Sequence, residues 1–202
     1  MISSYSELRS VARDTLRGNW GMAILVAFLY TAIMSAVGYI PLLGVVAMFV
    51  LGGPFTFGYF AYFLQLHRGQ RPELGVLFGG FQRFGPTLVL YLLMSVFIFL
   101  WSLLLIIPGI IASFRYAMAF YIMHDDPNVS AMDALRRSSE MMKGYKLKLF
   151  VLYLTFFGWF LLSCLTLGIG FLWLMPYAQA AMTAFYEQVR TASVQAEGTY
   201  TA

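Results

Sequence analysis

Polar and apolar residues alternate along the chain in long blocks, with three polar intervals that each precede a pair of apolar segments. The polar intervals are residues 4–19, 67–85 and 124–148. A membrane-spanning helix needs about 20 consecutive apolar residues. Most of the apolar segments approach or reach that length; they are residues 21–40, 42–66, 87–107, 110–123, 149–167 and 171–186. The pattern therefore predicts an all-α polytopic membrane helix bundle with about six transmembrane helices, arranged as three hairpins.

Each polar interval predicts a short amphipathic helix at the membrane surface. In the first interval, Ser4 and Glu7 have the spacing of a capping box, which starts a helix. The residues that follow divide by helical spacing into two groups. The apolar face is Tyr5, Leu8, Ala12 and Leu16, and the basic flank is Arg9, Arg13 and Arg17. Such a helix can lie in the membrane surface with its arginines near lipid phosphates, or it can pack on the rest of the protein.

The third polar interval repeats this arrangement. Ser130 and Asp133 again have a capping spacing, and Gly144 ends the helix. The apolar positions are Met132, Leu135 and Met142, and the basic ones are Arg136, Arg137, Lys143, Lys146 and Lys148. We expect the basic residues of both intervals to contact lipid or a partner, together with the apolar face of the third helix. The second interval predicts a similar helix beginning at Pro72, with Leu74, Leu77, Phe78 and Phe81 on one face.

The three polar-then-apolar segments predict three copies of one unit, at about residues 5–66, 72–123 and 130–187. The glycines that end the surface helices precede the following turns by 23, 23 and 24 residues, from Gly18 to Pro41, Gly85 to Pro108 and Gly144 to Gly168. Together the units predict a single membrane domain over residues 1–190. The remaining residues, 191–202, are rich in Thr, Ala and Ser, and we expect a disordered tail there.

Composition and charge place this chain in the membrane class. Hydrophobic residues make up 60% and charged residues 11%, against about 25% charged residues in soluble domains, and the mean hydropathy is +0.75. Of the 13 Lys and Arg residues, 12 lie outside the predicted spans, all on one side, and the opposite turns carry none. Basic loops tend to stay in the cytoplasm. We therefore predict a multi-pass protein of the cytoplasmic (inner) membrane with both termini cytoplasmic, and no nucleic-acid partner.

The thirteenth basic residue, Arg115, falls within a predicted span. A charge at membrane depth usually faces the interior of a bundle and is a functional candidate. Its segment is short, however, so Arg115 can also extend its side chain to the interface. Three partners fit it: a carboxylate on a returning helix, an anionic lipid headgroup, or backbone carbonyls freed near Pro108.

Residues that could support catalysis do not form a recognisable set. No HExxH, phosphate-loop or CxxC motif occurs. His124, Asp125 and Asp126 are adjacent and cannot all converge on one metal, so they predict a helix end. Glu187 predicts an ion pair with a basic residue of the same layer. Gly52-Gly53-Pro54 interrupts the second apolar segment and favours close helix packing over a ligand site. We therefore expect no enzymatic activity, no cofactor and no metal.

Several short motifs resemble an uncharacterised family of bacterial integral membrane proteins, a domain of unknown function, and more distantly the membrane domain attached to some glycerophosphoryl diester phosphodiesterases. They are Ile107-Pro108, Asp126-Pro127, Ser130, Met142-Lys143-Gly144, Phe150, Trp159, Thr166 to Gly170, Pro176-Tyr177 and Phe185-Tyr186. The resemblance implies a polytopic membrane protein. It supplies no catalytic residues, because the phosphodiesterase chemistry belongs to a separate soluble domain.

The sequence thus leads to three functional hypotheses. In the first, the protein organises or assists another membrane system through contacts of its surface helices with anionic lipid, a membrane-protein partner or a second copy of itself. In the second, it is a small transporter or permease-like component with a path near Arg115. In the third, it is a membrane enzyme acting on lipid, a hypothesis that would gain support only if several of Arg115, Glu187 and residues 124–126 converged on one pocket.

Overall fold

The computed structural model describes residues 4–39 and 43–200, with side chains to residue 195. Every element in this part of the chain is a helix: ten α-helices and one 3₁₀ helix. In chain order they are α1 (Tyr5–Leu16), α2 (Trp20–Gly38), α3 (Leu43–His67), the 3₁₀ helix (Leu74–Arg83), α4 (Phe84–Leu104), α5 (Ile106–Tyr116), α6 (Ala119–Asp125), α7 (Ala131–Met141), α8 (Lys146–Thr155), α9 (Phe157–Leu165) and α10 (Phe171–Tyr200).

Each predicted unit contains a short helix followed by an outgoing and a returning helical segment. The first is α1, α2 and α3; the second is the 3₁₀ helix, α4, and α5 with α6; the third is α7, α8 with α9, and α10. Two segments are broken, at residues 117–118 between α5 and α6 and at Phe156 between α8 and α9. The predicted interruption at Gly52-Gly53-Pro54 is wrong, because α3 continues through Pro54.

Five helical stretches in the described ranges are long and apolar enough to cross a membrane. They are Trp20–Gly38, Gly44–His67, Leu74–Leu104, Ile106–Asp125 and Lys146–Leu165. The predicted helical membrane bundle is therefore confirmed. The sixth predicted span, residues 171–186, is helical within α10. It is not among the five, because polar residues such as Gln179 and Glu187 lower the hydropathy of α10.

Burial is concentrated at one end of the bundle, which we call the charged end because the ion pairs of α3, α6 and α10 lie there. Residues 55–66 of α3, residues 119–123 of α6 and residues 180–189 of α10 supply about half of the buried side chains. The opposite ends of the hairpins, which we call the tips, expose large apolar residues, with Leu167 95% and Ile106 76% accessible. Exposed apolar surface of this extent marks a contact with lipid or protein.

The predicted starts and ends of α1 and α7 are confirmed, whereas Gly85, predicted to end the second surface helix, lies within α4. The Glu7 amide donates to Ser4 Oγ at 3.3 Å and the Ser4 amide donates to Glu7 Oε2 at 2.8 Å, which completes the capping box of α1. Ser130 Oγ accepts from the Asp133 amide at 3.1 Å and starts α7. Gly18 and Gly144 follow α1 and α7 with φ of +79°, a conformation that glycine adopts without steric cost.

Close backbone packing fastens the 3₁₀ helix to the middle of α3. A Cβ atom at Gly58 would collide with the carbonyl group of Leu77, and one at Gly80 would collide with the carbonyl group of Pro54. One step further, a Cβ at Gly53 would lie 2.5 Å from the carbonyl oxygen of Thr87 in α4. Small residues thus let these backbones touch, as predicted for Gly52-Gly53-Pro54.

The end of α10 differs from the prediction. Residues 191–200 continue the helix where the sequence predicts a disordered tail beginning at residue 191. Thr191 Oγ1 donates to the Glu187 carbonyl at 2.8 Å, and Ser193 Oγ donates to the Arg190 carbonyl at 2.8 Å. Hydroxyls that bond back to the preceding turn can be accommodated in a helix. Residues 201–202 of the predicted tail lie outside the described residues.

We predict that Gly58→Ala and Gly80→Ala each destabilise the protein, whereas Gly79→Ala does not. The first two would force a methyl group into a backbone contact, which costs about 1–3 kcal/mol by overpacking. A Cβ at Gly79, on the same 3₁₀ helix, meets no atom within 4 Å. Thermal unfolding of the detergent-purified protein measures the difference. Equal Tm values for the Gly79 and Gly80 variants would contradict the packing described.

Candidate functional site

The ends of α3 and α6 meet the middle of α10 in one ion-pair cluster, which we call the four-residue cluster: Arg68, Asp125, Glu187 and Arg190. Arg68 Nη1 lies 2.8 Å from Asp125 Oδ1, and Arg68 Nε lies 2.7 Å from Glu187 Oε1. Arg190 contacts both carboxylates as well, with Nη1 3.1 Å from Asp125 Oδ2 and Nε 3.1 Å from Glu187 Oε2. The cluster therefore ties α3, α6 and α10 together.

The carboxylates of this cluster are better shielded than its arginines. The side chains of Asp125 and Glu187 are 16% and 17% exposed, against 29% and 43% for Arg68 and Arg190. The hydrogen bond to Asp125 holds the pKa of the Arg68 guanidinium above its usual range; burial opposes this increase, and the hydrogen bond to Glu187 adds to it. The cluster is thus a set of mutually satisfied charges.

A second polar contact connects α6 to α10 below the four-residue cluster. The Tyr121 hydroxyl lies 3.0 Å from Thr183 Oγ1 and accepts a hydrogen bond from Gln179 Nε2 at 2.9 Å. The rings of Tyr121 and Tyr186 stack with centroids 4.7 Å apart, and the Tyr186 hydroxyl donates to Asp125 Oδ2 at 2.8 Å. The aromatic residues of the return helices therefore serve in packing.

Arg83, at the end of the 3₁₀ helix, closes the end of α6. Its Nη1 donates to the Met123 carbonyl at 2.7 Å, its Nη2 donates to the Pro127 carbonyl, and its guanidinium lies 5.8 Å from the ring centre of Phe57. The last carbonyls of a helix lack hydrogen-bond donors within the helix, and Arg83 donates to one of them. The Arg83 guanidinium is therefore already bound within the protein.

The apolar face of α1 packs on protein. Leu8, Ala12 and Leu16 are almost completely buried. Hydrogen bonds lie on either side of this contact: the Tyr177 hydroxyl donates to the Arg9 carbonyl at 3.3 Å, and Thr15 Oγ1 lies 3.2 Å from His67 Nδ1. Of the two alternatives for α1, the structure therefore has the helix packed on the rest of the protein, with its basic flank outward.

The apolar face of α7 is covered in the same way. Leu135 and Met142 are buried, as are Ala131 and Ala134, and only Met132 points outward. The prediction that this face contacts lipid or a partner is therefore wrong for Leu135 and Met142. Helical periodicity identifies a face to be covered without identifying what covers it.

The 3₁₀ helix does present apolar residues outward. Phe78, Phe81 and Phe84 form an exposed row of rings. The rings of Phe78 and Phe81 contact Phe55 of α3, with centroids 5.6 and 5.0 Å apart. We call these three residues the aromatic row. Exposed phenylalanines on a short helix beside a span are typical of an apolar face that enters the membrane surface.

The predicted contact residues divide into paired and unpaired cations. Three are engaged with exposed carboxylates: Arg17 with Asp14 at 3.8 Å, Arg136 with Asp133 at 3.4 Å and Arg137 with Asp126 at 2.8 Å. The hydrogen bond from Arg137 lowers the pKa of Asp126. The others have no ion pair with any carboxylate of the described residues; they are Arg9, Arg13, Lys143, Lys146 and Lys148.

The break between α5 and α6 places Arg115 against α7. Ser138, which is completely buried, donates from Oγ to the Arg115 carbonyl at 2.9 Å and accepts from the Met118 amide at 3.2 Å. It thereby satisfies two backbone groups that the broken helix leaves free. Arg115 lies nine residues after Ile106 at the hairpin tip, so it is roughly 14 Å from the tip along α5.

The Arg115 side chain lines a cavity of about 280 Å³ between the second and third hairpins. We call it the Arg115 groove; its walls are Trp101, Pro108, Ile111, Ala112, Arg115 and Lys146. The Nε atom of Arg115 is buried and has no hydrogen-bond partner. Within the described residues, neither a carboxylate nor a backbone carbonyl partners this guanidinium.

A larger apolar cavity of about 410 Å³ lies between α1, α2, α9 and α10. Its walls carry three tryptophans, Trp20, Trp159 and Trp173, and one cation, Arg13. Trp20 also contacts Tyr177, with ring centroids 6.4 Å apart. Tryptophan beside a basic residue is typical of the membrane interface.

Of the groups named for the enzyme hypothesis, Glu187 and Asp125 come together, whereas Arg115 lies apart from them. Glu187 and Asp125 meet in the four-residue cluster, whereas Asp126 pairs with Arg137 and Arg115 lines its own groove. No group of three or more potential metal ligands occurs among the described residues. The predicted ion pair of Glu187 is confirmed.

Sequence reasoning missed Arg68, Arg83 and Arg190 as structural cations. Each follows or ends an apolar or surface segment, so its position indicated only the membrane interface. The signal for the cluster is weak: Arg68 follows α3, Asp125 ends α6 and Glu187 follows the sixth predicted span, at roughly corresponding places in the three units. The opposite charges of Arg68 and of Asp125 and Glu187 were the available indication that these side chains pair.

We predict that Asp125→Asn lowers the free energy of unfolding by about 2 kcal/mol. Removing one partner of a fully buried ion pair costs about 3–5 kcal/mol, and the partly exposed arginines reduce this amount. The control is Asp14→Asn, whose ion pair with Arg17 is exposed and is worth at most about 1 kcal/mol. Thermal unfolding in detergent distinguishes the two, and a larger loss for Asp14→Asn would rule out the proposed importance of the cluster.

We also predict that Ser138→Ala destabilises the protein by about 1–3 kcal/mol, because a buried amide and a buried carbonyl lose their partner. Ser139→Ala, at a less buried position of the same helix, is the matched control. Hydrogen exchange at the Met118 amide provides a local measurement. Unchanged protection of that amide in the Ser138 variant would contradict this role.

Comparison with known proteins agrees with the predicted family resemblance. A family model described as "Protein of unknown function (DUF975)" matches residues 1–111 and 102–193. No curated protein matches, and no solved structure matches. The distant similarity to the phosphodiesterase membrane domain is not shown by these comparisons and stays a prediction. Because the two matched stretches cover nearly the whole chain, it belongs to this family of proteins of unknown function, DUF975.

Proposed function

We propose that this protein is a non-enzymatic component of the cytoplasmic membrane that organises or assists another membrane system by binding anionic lipid at its charged end. The observation that carries the proposal is the lysine group Lys143, Lys146 and Lys148, which stands at the start of an apolar hairpin without a carboxylate partner among the described residues.

The distribution of acidic residues supports this proposal. The best buried carboxylates, Asp125 and Glu187, are held by Arg68 and Arg190. The four-residue cluster therefore neutralises itself. The unpaired cations at the periphery remain available to an external anion. At the membrane surface each such cation contributes about 1 kcal/mol to the attraction of anionic lipid.

Two further features support a lipid contact of the same layer. The aromatic row gives the 3₁₀ helix an outward apolar surface at the start of α4. The cavity beside Arg13 combines an unpaired cation with Trp20, Trp159 and Trp173. Apolar surface and basic side chains together form the combination that binds an anionic bilayer interface.

The proposed orientation places the charged end and both termini in the cytoplasm. It rests on the basic residues, which gather at that end, and on the uncharged hairpin tips. The exposed apolar surface of the tips also offers a contact to a membrane-protein partner or to a second copy of the chain.

The transport hypothesis receives less support. Apart from its two cations, the Arg115 groove has apolar walls, including Trp101 and Ile111. A path for a polar solute needs polar groups along its length. The unpaired cations favour lipid recognition over a solute path.

We predict that, in vesicles of phosphatidylglycerol and phosphatidylcholine, the lipid next to the protein is enriched in phosphatidylglycerol. The variant combining Arg13→Gln, Lys143→Gln and Lys148→Gln should lose most of this preference. The preference is measured by the quenching of tryptophan fluorescence by brominated forms of either lipid, because Trp20 lies in the same cavity as Arg13. The quenching by brominated phosphatidylglycerol should fall with added salt, as expected for exposed charges.

Arg71→Gln is the control, because Arg71 is exposed and belongs to neither the four-residue cluster nor the proposed contact. It should keep the wild-type lipid preference. Equal quenching by both brominated lipids in the wild-type protein would overturn the proposed function.

A further inference from the structure

We infer that the Arg115 groove binds a single anionic phospholipid between the second and third hairpins, with the lipid phosphate on Arg115 and Lys146. The inference deepens the proposed function and rests on it for the membrane setting. It concerns one specific site, whereas the proposed function concerns the basic layer as a whole.

The first argument is the unsatisfied guanidinium. Arg115 Nε is buried and has no hydrogen-bond partner in the protein. A charged donor held out of water without a partner is costly. Backbone carbonyls of the break are already used, since the Arg115 carbonyl accepts from Ser138. The Nη groups of the same guanidinium have no hydrogen-bond partner among the described residues either, and Arg115 lines the groove, so an anion there would bind these donors and offset the cost of the isolated charge.

The second argument is the convergence of two cations from separate hairpins. Arg115 comes from α5 and Lys146 from the first residue of α8, and both line the same groove. Neither has a carboxylate partner among the described residues, whereas Arg136 and Arg137 nearby in sequence do. Two unpaired cations at one cavity match a phosphate, which guanidinium and ammonium groups both bind well.

The third argument concerns the rest of the groove, which is apolar. Trp101, Pro108, Ile111 and Ala112 supply its other walls. Trp101, Ile107, Ile110 and Ile111 are exposed on the surface that leads from the groove toward the hairpin tip. A free phosphate would gain nothing from these walls. An acyl chain attached to the phosphate would lie along them and bury apolar surface.

Charge decides between classes of phospholipid. The only charge of phosphatidylglycerol is its phosphate, so this lipid offsets one of the two cations, Arg115 and Lys146, and adds no positive charge to the groove. A zwitterionic lipid would bring a third cation close to the first two, and like charges at short range repel. The groove should therefore prefer phosphatidylglycerol to phosphatidylcholine with the same acyl chains.

Native mass spectrometry of the delipidated full-length protein in detergent tests the inference by titration with phosphatidylglycerol, phosphatidylcholine or inorganic phosphate. We expect one tightly bound phosphatidylglycerol per chain, with weaker phosphatidylcholine. Arg115→Gln and Lys146→Gln should each lower the phosphatidylglycerol affinity about tenfold, as for one lost charge-assisted hydrogen bond. Arg71→Gln should leave it unchanged.

Several outcomes would overturn the inference. The proposed lipid site would be ruled out by any one of three results. These are equal binding of both lipids, unchanged phosphatidylglycerol affinity in Lys146→Gln, and displacement of the lipid by inorganic phosphate at similar concentration. Thermal unfolding without added lipid checks folding, and Lys146→Gln, at a partly exposed position, keeps the test valid if Arg115→Gln misfolds. Loss of the vesicle preference in the Arg13, Lys143 and Lys148 variant, with the single lipid retained, separates this site from the general layer.

Discussion

The contact of Arg68 with Asp125 and Glu187 is the interaction on which the arrangement of the three hairpins depends. Each hairpin alone is an apolar pair of helices that could pack in many ways in a bilayer, where no hydrophobic force distinguishes one helix contact from another. The four-residue cluster brings the ends of α3 and α6 to a defined point on α10. Two of the surface helices, α1 and α7, are then covered on their apolar sides by the same core.

This arrangement explains why the cations of the chain have different roles. Arg68, Arg83 and Arg190 bind carboxylates or backbone carbonyls within the protein. Arg136 and Arg137 form ion pairs with neighbouring carboxylates. What remains is a small set of unpaired cations at the edges of the hairpins. Function, as proposed, therefore depends on the residues that folding does not use.

Local chemistry was predictable and long-range pairing was not. The helix starts at Ser4 and Ser130 depend on residues three positions apart, so spacing alone identifies them. The burial of Leu135 by neighbouring helices, and the meeting of Arg68 with Asp125 across 57 residues, depend on tertiary structure that periodicity does not encode. The unpartnered state of Arg115 likewise became visible only with the surrounding side chains in place.

The uneven burial between the charged end and the tips has a consequence for the bilayer around the protein. A helix whose apolar length differs from the local hydrocarbon thickness tilts or deforms the bilayer at modest cost. Here the tips expose large apolar residues such as Ile106 and Leu167, so we expect a change of tilt to disturb less packing at the tips than at the Arg68 contacts. The same fold can thus accommodate membranes of different thickness, with the adjustment confined to its loosely packed half.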